Sequence, residues 1–275
     1  MSEKSAKEIA FIREHFVVAN YSDKFTRLVD KHLELPTEGK FLYAEVGTAT
    51  HALELREVID ENVAMFATET HEEAVKIART KIAAIKADVD LITTEPFDLD
   101  MNDDSFEYVL GDATLIQPKR LTQFLTEIVR VSKENATTAF FMPTAGSFGD
   151  FFSLLWELLF RNDLIEHGAQ AEKLISDLPT VSEVKSKCVE LGLKNVQTWT
   201  RNTFLEFATG ADFAESPLIA DFLMPIWLKE FPLEVREIVS NNIAATIDEE
   251  RHDLSFRLPL KATFVIGQKE ELFVA

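Results

Sequence analysis

Cysteine, glycine, positive charge and long apolar runs are all scarce in this sequence, and each shortage closes off a class of protein. One cysteine, Cys188, is present among 275 residues, so no internal disulfide framework can form, and a reducing compartment, the cytoplasm, is expected. Lysine and arginine number 28 against 47 aspartates and glutamates, a net charge of −19 that argues against nucleic acid and anionic membrane surfaces as partners. The most apolar run, Phe151 to Phe160, carries Glu157 within it and is too short to span a bilayer, so no membrane insertion is expected. The opening stretch MSEKSAKEIAFIREHF is charged and amphipathic, without the apolar core or cleavage signature of a signal peptide. A Gly-x-Ser-x-Gly elbow and a Walker lysine are both missing, so hydrolase and P-loop chemistries find no support. The dehydrogenase fingerprint also fails, because its last glycine would lie near Ala52.

What is there is enough apolar material, 46% of residues, for one large domain or one domain with an elaborated cap. Phe41-Leu42-Tyr43-Ala44 reads as a buried parallel strand. Glu45 closes it, Gly47 follows, and from Ala52 to Ile59 the spacing turns helical. Strand, tight turn and helix start form the first half of a nucleotide-binding crossover, where backbone N–H groups and a helix N-terminus approach a ligand closely. A second strand, Asn62 to Thr68, ends at Glu69, 22 residues after Gly47. That is the spacing at which such folds set an acid on ribose hydroxyls, since a carboxylate at the next strand's end can accept from two O–H donors. The plainer reading of Glu69 is a solvated acid at a helix start. Thr70 and Glu73 have the spacing of a capping box, so a helix is expected from Thr70. Further strands are expected over Val89 to Thr93, Phe106 to Leu110 and Thr137 to Met142, with a helix over Pro118 to Lys133. Four strand–helix units and a fifth strand imply a parallel sheet with helices on both faces. Ahead of it, residues 4–19 read as an amphipathic helix with Ile9, Ile12, Phe16 and Val17 on one stripe, broken at Tyr21-Ser22-Asp23, where Ser22 can cap a second helix through His32.

The run Glu45-Val46-Gly47-Thr48-Ala49-Thr50-His51 resembles the first motif of the class I S-adenosyl-L-methionine (SAM)-dependent methyltransferases, an acid followed by three glycines at alternate positions. Glu45 and Gly47 match the acid and the first glycine; Ala49 and His51 stand where the second and third would be. Ala49 adds one methyl, a small change if its φ stays negative, whereas His51 must point into the pocket or be turned aside. Ala67 to Arg79 is similar to the family's second motif, with Glu69 at the ribose-binding acid. Ser105-Phe106-Glu107 resembles the family's Ser-Phe-Asp, and Glu127 to Lys133 resembles its run before the fifth strand, though Glu134-Asn135-Ala136 replaces the usual glycines. The resemblance is close over residues 10–145 and loose beyond.

The resemblance implies a Rossmann-like methyltransferase fold, an α/β architecture with a seven-stranded, mostly parallel sheet, an antiparallel last strand and helical cap insertions. It implies SAM as cofactor, held by Glu45, Gly47, Thr48, Ala49, Glu69, Thr70, Glu95 and Pro96, with Glu95 on the adenine. A surface acidic loop is an equally good account of Glu95, given Asp98, Asp100, Asp103 and Asp104 beside it. Asp112, at the end of the fourth strand, falls beside the methyl to be transferred, as general base or orienter; a turn cap is its alternative. One domain is expected over 1–275: leading helices to 40, a SAM-binding core over 41–146, a helical cap over 147–178 and 204–253, and strands within 179–203 and 254–275 that close the sheet. The aromatic cap suggests a small, apolar acceptor, although Phe and Trp packing within the cap is the simpler account. His51 and His71 near Glu69 and Glu95 have no spacing that demands a metal, and none is expected. The missing glycines sustain a second hypothesis, a catalytically inactive methyltransferase-like protein serving as a binding or partner subunit. The oligomeric state is open, a homodimer included.

Overall fold

The computed structural model describes residues 4–251 and 255–271. The expected helix end at 252–253 and strand start at Leu254 lie outside the described residues. The sheet has seven strands in the order β3-β2-β1-β4-β5-β7-β6, mostly parallel with the last strands antiparallel. Its strands are β1 (Gly39–Ala44), β2 (Val63–Glu69), β3 (Asp90–Thr93), β4 (Phe106–Asp112), β5 (Ser132–Pro143), β6 (Leu193–Phe207) and β7 (Phe256–Lys269). Strand β1 is central, parallel to β2 (Phe41 opposite Met65) and to β4 (Phe41 opposite Tyr108). Phe41, Leu42, Tyr43 and Ala44 are all buried, as a strand covered on both faces requires.

Contacts divide the chain into two compact units, residues 1–142, 181–200 and 263–275 forming the first and residues 143–180 and 201–262 the second. In the first unit, α1 (Ala6–Ile12), a π-helix (Arg13–Ser22) and α2 (Asp23–His32) come first, followed by α3 (Thr50–Val58), α4 (Glu72–Ile85) and α5 (Leu121–Val131) between strands. Helix α5 buries Leu121, Phe124, Leu125, Ile128 and Val129 in a core shared with Leu42, Val109, Phe140 and Val265. The second unit holds α6 (Gly149–Arg161) and α7 (Gly168–Asp177); α8 (Val181–Glu190) returns to the first unit; α9 (Gly210–Glu215), α10 (Met224–Trp227) and α11 (Leu233–Arg251) belong again to the second.

Four local expectations change. The leading helix does not break at Tyr21 to Asp23: Ser22 has helical angles (φ −60°, ψ −39°) and makes no side-chain cap. Ten residues instead wind as a π-helix, whose i→i+5 bonding widens the turn. Arg13, Val17, Tyr21 and Phe25 recur at every fourth position, and the last three are fully buried, whereas Phe16, expected on the apolar stripe, is 42% exposed. The capping box at Thr70 does not form either. Helix α4 begins at Glu72 with His71 as its N-cap, and the Thr70 hydroxyl donates instead to the Thr94 carbonyl (3.1 Å) and to Glu45 (3.2 Å). Strand β5 starts at Ser132, with a register shift against β4 in which Asn135 takes φ 62°. Asparagine tolerates the left-handed region better than most residues, so it serves where a glycine was expected. Strand β6 runs on to Phe207, past the expected end at Thr203.

Candidate active site at the carboxyl end of the central strands

Where β1 ends, the backbone passes through the left-handed region at every second residue: Glu45, Gly47 and Ala49 all have φ 62°. The Val46 N–H donates to the Thr68 carbonyl (2.9 Å), holding the turn against β2, and the Ala49 N–H closes on the Val46 carbonyl (3.0 Å) before α3 starts. The condition under which the extra methyl of Ala49 is a small change, a negative φ, is therefore not met. The turn geometry of a glycine persists although the residue is alanine, at a cost of about 1–2 kcal/mol. Thr48 is buried within the turn.

Glu69 enters this turn from the end of β2. Its side chain has no exposure, which overturns the reading of a solvated helix-start acid. One oxygen, Oε2, accepts the Gly47 N–H (2.8 Å) and Arg13 Nη1 (3.1 Å). The other, Oε1, accepts the His71 N–H (3.0 Å) and meets His71 Nδ1 (2.7 Å). Burial by itself would raise the Glu69 carboxyl, but the Arg13 charge and the His71 contacts outweigh it and hold the acid well below its ordinary range, at about 2. Glu45 moves the other way. Burial, then the neighbouring Glu69 carboxylate, push it up to about 8, against a smaller opposing pull from Arg13 and Thr70. Asp112, partly buried, is also raised by burial, while the Thr114 hydroxyl and N–H and the Arg13 charge restrain it. The Thr114 N–H donates to Asp112 Oδ1 at 2.8 Å, so the turn cap forms and leaves the second carboxyl oxygen.

His51 is turned aside. The Tyr43 hydroxyl lies 2.9 Å from its Nδ1 and Asp30 Oδ1 lies 2.9 Å from its Nε2. A carboxylate can only accept, so Nε2 carries a proton toward Asp30, while Nδ1 pairs with the Tyr43 hydroxyl. The third-glycine position thus belongs to a hydrogen-bonded link from the sheet to α2, buried at Tyr43 and exposed at Asp30. Glu95 is exposed in a turn bridged to Asp98, beside buried Pro96. It lines a cavity of about 420 Å³ with Phe97, Gln123 and Arg120, whose guanidinium sits 3.3 Å from the Phe97 ring centre. The structure thus brings Glu45, Gly47, Glu69 and Thr70 into one network and leaves the Glu95 side chain outside it. Among the described residues no cluster of three His, Cys, Asp or Glu side chains is placed to hold a metal ion.

Arg13 is the site residue that sequence reading missed. A signal existed: it lies four residues from Ile9 and Val17, so it interrupts the stripe expected to be buried. A charge on such a stripe needs a partner.

Residues 44–140 match the family described as a methyltransferase domain. The fold is the class I methyltransferase fold. The YcgJ protein of Bacillus subtilis is similar with a TM-score of 0.59 at 16% identity, over 91% of this chain and 100% of that one. Phosphoethanolamine N-methyltransferase 2 of Haemonchus contortus, solved with phosphomonomethylethanolamine and S-adenosylhomocysteine, gives 0.56 at 12% identity, over 98% of this chain and 62% of that one. The [4+2]-cyclase SpnF gives 0.53 at 12% identity, over 91% of this chain and 82% of that one. At these identities the likeness establishes the methyltransferase fold and no substrate. No curated protein matches the chain in sequence.

Proposed function

We propose that this chain is a SAM-dependent methyltransferase acting on a small molecule. The observation that carries the reading is the pairing of Glu69 with the left-handed turn at Gly47, a 2.8 Å hydrogen bond across two neighbouring strands. An acid fixed at that height by a backbone donor suits ribose hydroxyls. What fills the space over Gly47 is the Arg13 guanidinium, 2.9 Å from where a Cβ would lie, and it is the movable end of a side chain and not backbone. Glu45, Gly47, Thr48, Ala49, Glu69 and Thr70 would hold the cofactor, with Glu95 and Pro96 the outer wall of the same reading. Bound there, SAM would supply a methyl group already activated on a sulfonium, so the protein's task is chiefly positioning. Asp112, raised by burial and anchored through Oδ1 by Thr114, is suited to take a proton from an acceptor hydroxyl or amine.

The cap aromatics pack against one another, so they give no support to an apolar acceptor. We read the two compact units as one methyltransferase-like domain with a helical cap. A cytoplasmic location is part of the same proposal, supported by the presence of a single cysteine, Cys188, in the sequence; no described helix is long and apolar enough to cross a membrane. Avoidance of nucleic acid rests on the net charge of −19, and the oligomeric state, a homodimer included, is open. The second reading, a non-catalytic binding subunit, draws on Arg13 standing where a ligand would lie over Gly47. The cyclase neighbour adds that this fold hosts proteins described by other chemistry.

Isothermal titration with S-adenosylhomocysteine tests the proposal. Micromolar binding is expected, and Glu69→Gln should weaken it by about tenfold or more, the worth of a charge-assisted hydrogen bond. No heat at millimolar ligand from well-folded protein would reject the enzyme and favour the binding subunit.

A further inference from the structure

The leading helix grips the site with two adjacent side chains. Arg13 reaches inward to Glu69 Oε2 at 3.1 Å, with its side chain 13% exposed. Glu14 grips the rim, where both its oxygens take Lys81 Nζ of α4 (2.9 and 3.0 Å). Thr50, the first residue of α3, joins them: Lys81 Nζ donates to its hydroxyl (2.7 Å) and that hydroxyl donates to Glu14 (3.2 Å). Further along the helix the Tyr21 hydroxyl donates to the Thr114 carbonyl (3.0 Å), and the Phe25 ring packs 6.1 Å from that of Phe141.

Glu69 has no acceptor capacity to spare. A carboxylate offers about four lone-pair sites, and the Gly47 N–H, Arg13, the His71 N–H and the His71 ring take four contacts. A ribose hydroxyl can therefore bind only by displacing one of them. The two backbone donors are fixed by the turn and by the start of α4. Of the two side chains, the Arg13 guanidinium also occupies the space directly over Gly47. It further neutralises Glu69 beside the buried Glu45 and Asp112, so its removal leaves acids that a ligand must satisfy. Arg13 opens a ten-residue π-helix, a form found mostly as short interruptions and often at functional sites.

We propose that Arg13 is a tethered competitor for the cofactor site, holding it closed from within until an adenosyl ligand displaces it and the Glu14–Lys81 clasp opens. The proposal rests on the methyltransferase reading above. It makes the first turn of the π-helix a gate whose hold is subtracted from cofactor affinity.

The test compares S-adenosylhomocysteine binding to wild type, Arg13→Ala and Lys81→Met by titration calorimetry, with hydrogen exchange of residues 6–22 as a second readout. Arg13→Ala should tighten binding by about tenfold or more, since a charge-assisted bond no longer competes. Lys81→Met, which opens the clasp without touching Glu69, should tighten it by about threefold and stands in if Arg13→Ala fails to fold. In wild type, ligand should speed exchange in residues 6–22. Unchanged affinity in both variants overturns the gate and leaves the methyltransferase reading intact. Weaker binding in Arg13→Ala makes the arginine a ligand contact and likewise overturns the gate. No binding by any of the three proteins removes the reading on which the gate depends.

Discussion

Both units bury rings, but they differ in buried acids. In the first, Glu45 and Glu69 lie beneath the surface beside Arg13, in a turn that puts Glu45 and Ala49 into left-handed backbone. In the second, the described buried side chains include no acid, and rings cluster. Phe151 stacks on Trp227 (4.4 Å, 27°), Phe148 and Phe152 flank the same indole at 5.1 and 6.0 Å, and Phe213 meets Phe256 edge-on at 5.1 Å. Helices α9 and α11 cross there so closely that a Cβ on Gly210 would fall 2.0 Å from the Ala244 carbonyl oxygen. Ring packing of this kind stabilises even though Phe148 itself takes left-handed backbone (φ 63°). Buried acids cost desolvation, and such costs persist where function requires them. Ring packing within the second unit explains why its aromatic density says little about the acceptor.

The sharpest way to break the contrast is Phe151→Ala. A fully buried ring with three aromatic neighbours should cost about 3–5 kcal/mol, read as a fall in the urea midpoint. A loss under about 1 kcal/mol would show that the ring cluster is not what holds the second unit together.

A smaller effect should appear in the pH dependence of stability. The Glu45 carboxyl is raised from 4.5 to about 8, chiefly by burial and then by Glu69, so between those values the folded protein holds a proton that the unfolded chain releases. Its stabilising share is complete below the unfolded value and drains away as pH rises toward about 8. Glu69 behaves inversely: its share is present above 4.5 and is lost as pH falls toward about 2. Urea midpoints taken across the upper window should decline with pH in wild type, and Glu45→Gln should flatten that decline. Parallel profiles for the two proteins would mean that Glu45 ionises in the folded protein as it does in the unfolded chain.

The smallest effect is expected at Ala49. Glycine relieves the left-handed strain but adds freedom to the unfolded chain, so Ala49→Gly should stabilise by about 0.5–1 kcal/mol. A destabilised Ala49→Gly, measured by the same midpoints, would mean that the methyl packs better than the backbone angle costs.

Much of this protein was legible before any coordinates. Alternating apolar runs and helical stripes placed the strands and core helices, because burial on both faces leaves a periodic record that needs no knowledge of neighbours. The 22-residue step from Gly47 to Glu69 located the acid, because a strand–helix–strand crossover has a nearly constant length. Tertiary contacts decided the rest. Thr70 left its capping role because Glu45 and the Thr94 carbonyl, distant in sequence, offered its hydroxyl better partners. His51 left the pocket because Tyr43 and Asp30 bind its two nitrogens from different elements. Arg13 could not be assigned from its own segment, since what makes it a site residue is Glu69, 56 positions away. Local pattern reports which surfaces are buried. Which charge meets which depends on how those surfaces are brought together, and only the folded chain does that.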